Sequence, residues 1–351
     1  MPALIPIDGA RGEGGQVLRT ALALSVTTGQ GFEITRIRAN RPLPGLRPQH
    51  LAAVRAAALA CGARASGAFD GSPDLRFEPG QARPGEFRFE IATAGALTLV
   101  LQTVLAPLAR AGHEPSRVTV TGGTHVPASP SYDYLARHWA AVVERLGLRV
   151  NVRLERAGFY PRGGGEATAD VQPWSGALGP LRLEHRGALV AIKGLAGMAR
   201  IAGDVAGAMR KAAEQRLWEA RRLESSWEER QVPSAAPGSF LLIEAVFEQG
   251  RAAFGFLGQK GVRPELLGDR AARTLLKFLD GEGAVDPHLA DQLAVPFALG
   301  GKGGVVTTTE TSLHLQTVAE IVSLFGIPAR TWGRLGGPGG LEVSPCEASA
   351  C

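Results

Sequence analysis

The sequence predicts an α/β fold of the α+β kind, built from a recurring helix-and-strand unit and interrupted by a smaller α/β insertion. Three observations carry that expectation. The 351 residues are 45% hydrophobic and 20% charged, enough apolar material for a packed core and too much for a disordered or fibrous chain. The 46 glycines and 23 prolines are scattered between apolar runs, where they act as turn punctuation rather than low complexity. Finally, one pattern (a small-residue turn, an apolar helix, then a β-like run with polar ends) occurs three times, and a stretch of different texture separates its second and third copies.

The first copy runs from Gly14 to Arg38, with a helix over Val17 to Val26 leading into the β-like Phe32 to Ile37. The second runs from Ala94 through a Leu97 to Leu108 helix to Val118 to Thr124. The third starts at Ala290, passes through Leu293 to Ala298 and reaches Val305 to His314. In each, helical spacing gives way to β-branched alternation. Between Arg186 and Leu279 the chain reads differently. Val205 to Leu223 is a charged amphipathic helix with Val205, Met209, Leu217 and Ala220 on one face. Glu224 to Gly238 reads as a polar loop, Phe240 to Phe247 as a strand and Glu265 to Leu279 as a second helix. The expected organisation is therefore a large domain over 1–185, an inserted small domain over 186–279, the last repeat over 280–335 and a Gly-rich, poorly ordered tail over 336–351.

Composition narrows the function classes. Three cysteines, Cys61, Cys346 and Cys351, make neither a disulfide framework nor a thiolate metal site. No basic-then-apolar segment opens the chain, and the apolar stretch from Ala94 to Ala109 is broken by Thr98, Gln102, Thr103 and Pro107. A cytoplasmic protein without a membrane span is expected. The 38 basic and 33 acidic residues leave a net charge of +5, too small a surplus to establish nucleic-acid binding by itself.

Several runs have the residue types that chemistry on phosphates requires. Asp8 to Thr20 reads DGARGEGGQVLRT: glycines followed by a helix gather backbone N–H groups and a positive helix end at one point, a usual way to hold an anion. Glu13 fits there if a divalent cation bridges it to phosphate oxygens; otherwise it is a first-turn carboxylate. Arg38 and Arg41, three apart beside stiffening prolines, can present guanidinium forks to a polyanion, with Gln49 and His50 opening the next helix. Gln102 stands where leucine would be the default, so its amide satisfies nearby backbone or faces a ligand. His288, Asp291 and Gln292 fall on one face of a helix opening after Asp286; an imidazole, a carboxylate and an amide suit a purine, whereas a His/Asp pair alone makes a poor metal site. His314 sits in the first turn of a helix capped by Thr311 or Ser312. The positive helix end there disfavours the imidazolium and attracts phosphate, the setting a phosphorus-directed nucleophile needs.

Taken together, the chain resembles the RNA 3′-terminal phosphate cyclase family. The stretches GEGGQVLRTALALS, IRANRPLPGLRPQHL, TAGALTLVLQTVLAPL, VTGGTHVPASPSYDYL, the FYPRGGGE turn, HLADQL and the helix opening at His314 occur in the family's order. The resemblance implies three repeated β-α-β-α-β-β units with a small α/β domain inserted before the last. It also implies an ATP-dependent ligase that converts an RNA 3′-phosphate to a 2′,3′-cyclic phosphodiester through histidyl–AMP and RNA-adenylate intermediates, with Mg or Mn. By position, His314 would be the nucleophile. Gln102, Pro130 and the run His288, Leu289, Ala290, Asp291 and Gln292 would bind ATP, with His288 and Pro130 flanking the adenine. Glu13 would hold the metal, and Arg19, Arg38, Arg41, Gln49 and His50 would contact phosphates of ATP or of the RNA end. Two positions depart from the family's pattern: Leu315-Gln316-Thr317 follow His314 in place of the frequent Thr-Asn, and His125 follows Gly-Gly-Thr where Asp is usual. The alternative is a non-catalytic RNA-binding factor of ribosome assembly on the same fold, a reading that the retained histidine disfavours. An enolpyruvyl transferase is suggested by fold alone, which does not carry function.

Overall fold

The computed structural model describes residues 3–12, 15–174, 176 and 179–345. Its first four strands and two helices run β1 (Ile5–Asp8), α1 (Gln16–Thr28), β2 (Phe32–Thr35), α2 (Pro48–Cys61), β3 (Arg64–Ser66) and β4 (Leu75–Glu78). They form one sheet in the order β1-β2-β4-β3, with β1 and β2 parallel across the α1 crossover and the others antiparallel. The helices end where the sequence demands it: Gly29 and Gly62 take left-handed backbone just past α1 and α2, and Pro48 occupies the first turn of α2.

The same connectivity returns twice. The second copy is β5 (Glu86–Glu90), α3 (Leu97–Arg110), β6 (Ser116–Gly122), a π-helical turn over Tyr134–Trp139 continuing into α4 (Ala140–Val143), then β7 (Val150–Arg156) and β8 (Gly165–Val171). Its sheet order is β5-β6-β8-β7. The third opens with β9 (Leu181–Leu183), which pairs parallel to a strand more than a hundred residues later.

Between them lies a different unit: β10 (Leu189–Ala199), α5 (Val205–Arg221), β11 (Ser226–Gln231), β12 (Gly238–Phe247), β13 (Arg251–Leu257) and α6 (Pro264–Asp280), with sheet order β11-β10-β12-β13. Strand β12 is buried on both faces, and its alternation assigns each side chain a partner. Leu241, Ile243, Ala245 and Phe247 join α5 and α6 in one core. Phe240 and Leu242 face the other way, into a seam shared with Tyr134, Ala157 and Phe159 of the second repeat.

The chain then completes the third copy with α7 (Pro287–Gln292), α8 (Ala294–Leu299), β14 (Gly304–Thr308), α9 (Leu313–Leu324), β15 (Ala329–Gly333) and β16 (Gly339–Val343), in the order β15-β16-β14-β9. The sheet of each repeat thus places its first two strands parallel and inserts its last strand between the second and third. The three repeats bury one continuous core to which α1, α2, α3, α8 and α9 all contribute.

Two expectations are corrected. Residues 336–351 are not uniformly a loose tail: Gly339–Val343 form β16, hydrogen-bonded on both sides between β14 and β15. Its glycines permit the close approach, since a Cβ at Gly340 would lie 2.3 Å from the Val306 carbonyl oxygen. Residues 346–351 fall outside the described residues. Within the expected polar loop 224–238, Ser226–Gln231 form β11, parallel to β10. Its sequence SWEERQ is charged and polar apart from Trp227, which packs on the inserted unit's core, as suits an edge strand.

Candidate active site

A cavity of about 700 Å³ opens where the repeats meet the inserted unit. Helix starts build one side of it. Gly15 and Gln16 begin α1, Gln49 and His50 lie in the first turn of α2, and His314 lies in the first turn of α9; all five line the cavity. Three helix ends with their unsatisfied N–H groups therefore open toward one space, which favours negative charge there. Arg19, Arg38, Arg41 and Arg47 line it as well.

Ser312 is the residue that caps α9, its Oγ accepting from the Leu315 N–H at 3.0 Å. The Gln16 side chain donates to the His314 carbonyl oxygen at 2.9 Å, and a Cβ at Gly12 would lie 2.9 Å from the Thr317 methyl. These contacts seat the Gly-rich turn directly against the first turn of α9. The start of α1 and the first turn of α9 are neighbours, although they are about three hundred residues apart in the chain.

His50 is buried, and its Nδ1 accepts from the Arg47 backbone N–H at 3.0 Å. The proton of the neutral ring is left on Nε2, which abuts Gly15: a Cβ there would lie 2.2 Å from it and 2.9 Å from the Arg19 guanidinium. Burial, with Arg19, Arg38 and Arg47 nearby, pushes the imidazole down to about 3. His50 is therefore a neutral donor. Arg38 is partly committed to shaping its own loop, since its Nη1 donates to the carbonyl oxygens of Leu43 at 2.7 Å and Gly45 at 3.0 Å. Arg19 faces Asp291: burial lowers the guanidinium to about 10 against the pull of that carboxyl. Burial and Asp286 push Asp291 up to about 8.

The opposite wall carries the amides. Gln102 of α3 donates through Nε2 to Gln292 Oε1 of α7 at 2.6 Å, so these two residues, read separately from the sequence, meet. Leu99, Ala106, Trp139, Val295 and Pro296 line the cavity around them. Thr98 Oγ1 donates to the Pro130 carbonyl oxygen at 2.8 Å, which fixes the Pro130 loop on α3. His288 and Asp291 also line the cavity. Apolar walls with a few oriented polar groups, joined to a cationic rim, suit a nucleotide whose base enters and whose phosphates stay at the helix ends.

Three expected residues are not placed this way. Leu289 and Ala290 are wholly buried in the main core, because α7 turns those positions inward while it turns His288 and Asp291 outward. Glu13 lies outside the described residues. Among the described residues no group of three or more His, Cys, Asp or Glu side chains converges, so they do not by themselves fit a resident metal ion.

Behind the cavity, the structure gives two residues roles that the sequence alone did not show. His125 Nε2 pairs with Asp133 Oδ2 at 3.0 Å, and its ring stacks on Phe159 and contacts Phe240 at 4.1 Å between centroids. The residue after Gly-Gly-Thr thus supports the seam behind the cavity. Asp286, expected as a helix cap, does accept from His288 N–H and Leu289 N–H. It is also the hub of a buried network that no local pattern announces. No helix among the described residues is long and apolar enough to cross a membrane.

Known proteins resemble the chain over most of its length. The family model for RNA 3′-terminal phosphate cyclase matches residues 10–328. A protein of that name from Ralstonia nicotianae is 44% identical over 322 residues, covering 92% of this chain and 91% of that protein. One from Pseudomonas fluorescens is 44% identical over 94% of both chains, and one from Thermococcus gammatolerans is 40% identical over 97% of both.

Proposed function

The chain belongs to the RNA 3′-terminal phosphate cyclase family, and from that premise we propose that it converts an RNA 3′-phosphate to a 2′,3′-cyclic phosphodiester at the expense of ATP, with His314 as the nucleophile. The observation that carries this reading is the joint presence of His314, the arginines and the Gln102–Gln292 pair around one cavity.

In the first step an imidazole nitrogen of His314 forms a bond to the α-phosphorus of ATP, and the bond from that phosphorus to the bridging oxygen breaks, releasing pyrophosphate. Arg19, the neutral His50 donor and the helix ends stabilise the charge that builds on the α-phosphate. A 3′-phosphate oxygen of RNA then attacks the same phosphorus, and the N–P bond breaks to free His314. Finally the neighbouring 2′-oxygen attacks the 3′-phosphorus and expels AMP, its proton passing to solvent. A phosphate monoester is a poor electrophile; adenylylation supplies the leaving group, and proximity of the 2′-hydroxyl does much of the rest. The amide pair, His288 and Pro130 would hold the adenine, while Arg38, Arg41 and Gln49 would receive the phosphates of ATP or RNA. A divalent cation, Mg or Mn, would be held by Glu13 together with the nucleotide's own phosphates and would offset their charge.

Mass spectrometry after incubation with ATP and a divalent cation tests the proposal. One AMP is expected on the peptide containing His314, together with cyclisation of a 3′-phosphorylated oligonucleotide. His314→Ala should abolish both, and an adduct that persists in that variant overturns the assignment. Glu13→Ala should raise the metal concentration needed for half-maximal adduct formation; an unchanged requirement would remove Glu13 from the metal site.

A further inference from the structure

Beneath α7 lies a chain of buried ionisable groups that takes no part in the steps above. The Asp286 carboxylate is wholly buried and is approached by five donors. Its Oδ1 accepts from the Tyr134 hydroxyl at 2.8 Å and from the backbone N–H groups of His288 at 3.1 Å and Leu289 at 3.0 Å. Its Oδ2 accepts from His138 Nε2 at 2.8 Å and from the Ala253 N–H at 3.2 Å. On the far side of the His138 ring, Nδ1 faces Glu244 Oε1 at 3.5 Å, and Glu244 in turn accepts from Arg251 at 3.0 Å. The groups therefore follow one another in the order Arg251, Glu244, His138, Asp286. Four segments contribute: the π-helical turn with Tyr134 and His138, β12 with Glu244, β13 with Arg251 and Ala253, and the cap of α7.

We propose that His138 and Asp286 are positioning residues that lock α7, and with it His288, Asp291 and Gln292, to the sheet of the inserted unit, so that the nucleotide-facing helix is set by residues that never touch the nucleotide. The inference deepens the proposed function and rests on it for the identity of the ligand. Three observations support it. A six-residue helix has too few internal bonds to hold itself in place, so its direction is set by what grips its start. A buried carboxylate with five donors is a rigid anchor only if all its partners are present. The ring of His138 is wholly buried between two carboxylates. Burial opposes its charged form, yet the hydrogen bond to Asp286 and the nearby Glu244 carboxylate outweigh that and raise its pKa above the ordinary value. Charge-assisted bonds of this kind are the stronger ones.

The two oxygens of Asp286 separate the cap from the lock. Asp286→Asn keeps an acceptor at Oδ1 for the helix N–H groups, since Asn is an equally good cap, but sets an NH₂ against His138 and Ala253. The affinity for ATP, measured calorimetrically, should fall about tenfold or more, while turnover at saturating ATP stays within about threefold of the parent. His138→Ala should behave the same way. His138→Gln, whose amide can donate from the place of Nε2, should recover most of the affinity. Amide exchange in the ligand-free protein supplies an independent readout: residues 288–292 should exchange faster in Asp286→Asn and His138→Ala and return toward the parent rate in His138→Gln. Unchanged exchange and affinity in Asp286→Asn, or a His138→Gln variant no better than His138→Ala, overturns the lock. A parent protein that binds no ATP overturns the proposed function instead, and the exchange experiment still decides whether the lock exists.

Discussion

His50 shows how one buried side chain makes a site that can be read by pH. Its ring is neutral because burial comes first and three guanidinium groups follow. In the unfolded chain an imidazole titrates near pH 6.5, whereas here it does so near 3. Between those values the unfolded state binds the extra proton, so the contribution of His50 to stability is complete above about pH 6.5 and is lost as the pH falls toward 3. The limiting slope is about 1.4 kcal/mol per pH unit. Melting temperatures of the parent should therefore drop more steeply between pH 7 and 4 than those of His50→Gln, and parallel profiles would refute the neutral-donor assignment. Nothing in the hexapeptide around His50 announces this. The sequence offers a histidine in a helix start, and only the folded chain brings Arg19 and Gly15 against it.

The elements that were legible in the sequence are those whose physics is local. Helices α1, α3, α5, α6 and α9 have helical apolar spacing. Asp204 and Ser312 accept from N–H groups three residues on, as capping residues do. Strand β11 was not legible because a single apolar residue, Trp227, packs on the core and leaves no alternation to read, and β16 was hidden by glycines that let it slip between two neighbours. The site followed the same division. His314, Gln102 and Gln292 stood out as residue types in unusual places, whereas the link from Asp286 to His138 spans 148 positions. The clearest element-level test lies at the start of α1. Gly15 has an ordinary negative φ, so alanine is no burden to the backbone, but its Cβ would collide with His50 and Arg19. Gly15→Ala should keep the far-ultraviolet spectrum of the parent and lower ATP affinity at least tenfold, about 1.4 kcal/mol or more. Undiminished binding would mean that the start of α1 is not where phosphate sits.

At the scale of the whole molecule, the architecture accommodates an insertion because both of its ends are fastened to one residue. Thr307 of β14 donates through Oγ1 to the Glu184 carbonyl oxygen at 2.8 Å and accepts from the Ala284 N–H at 3.0 Å. The chain thus leaves the third repeat and re-enters it on the same strand, so the inserted unit spans two points that are already neighbours. The repeats bury their own core, and the inserted unit buries another between its sheet and α5 and α6, meeting the rest along the Phe159–Phe240 seam. Yet the cavity needs both, because Phe240, Leu241, Ala253 and Phe256 form part of its wall. A chain in which a short Gly/Ser linker joins Glu184 to Ala284 should therefore retain a single cooperative unfolding transition, at lower temperature because the seam is uncovered. It should also lose ATP binding by about a hundredfold or more, since one wall of the cavity and the Ala253 bond to Asp286 are gone. Retained affinity would place the nucleotide entirely within the repeats, and loss of cooperativity would show that the core of the repeats depends on the seam.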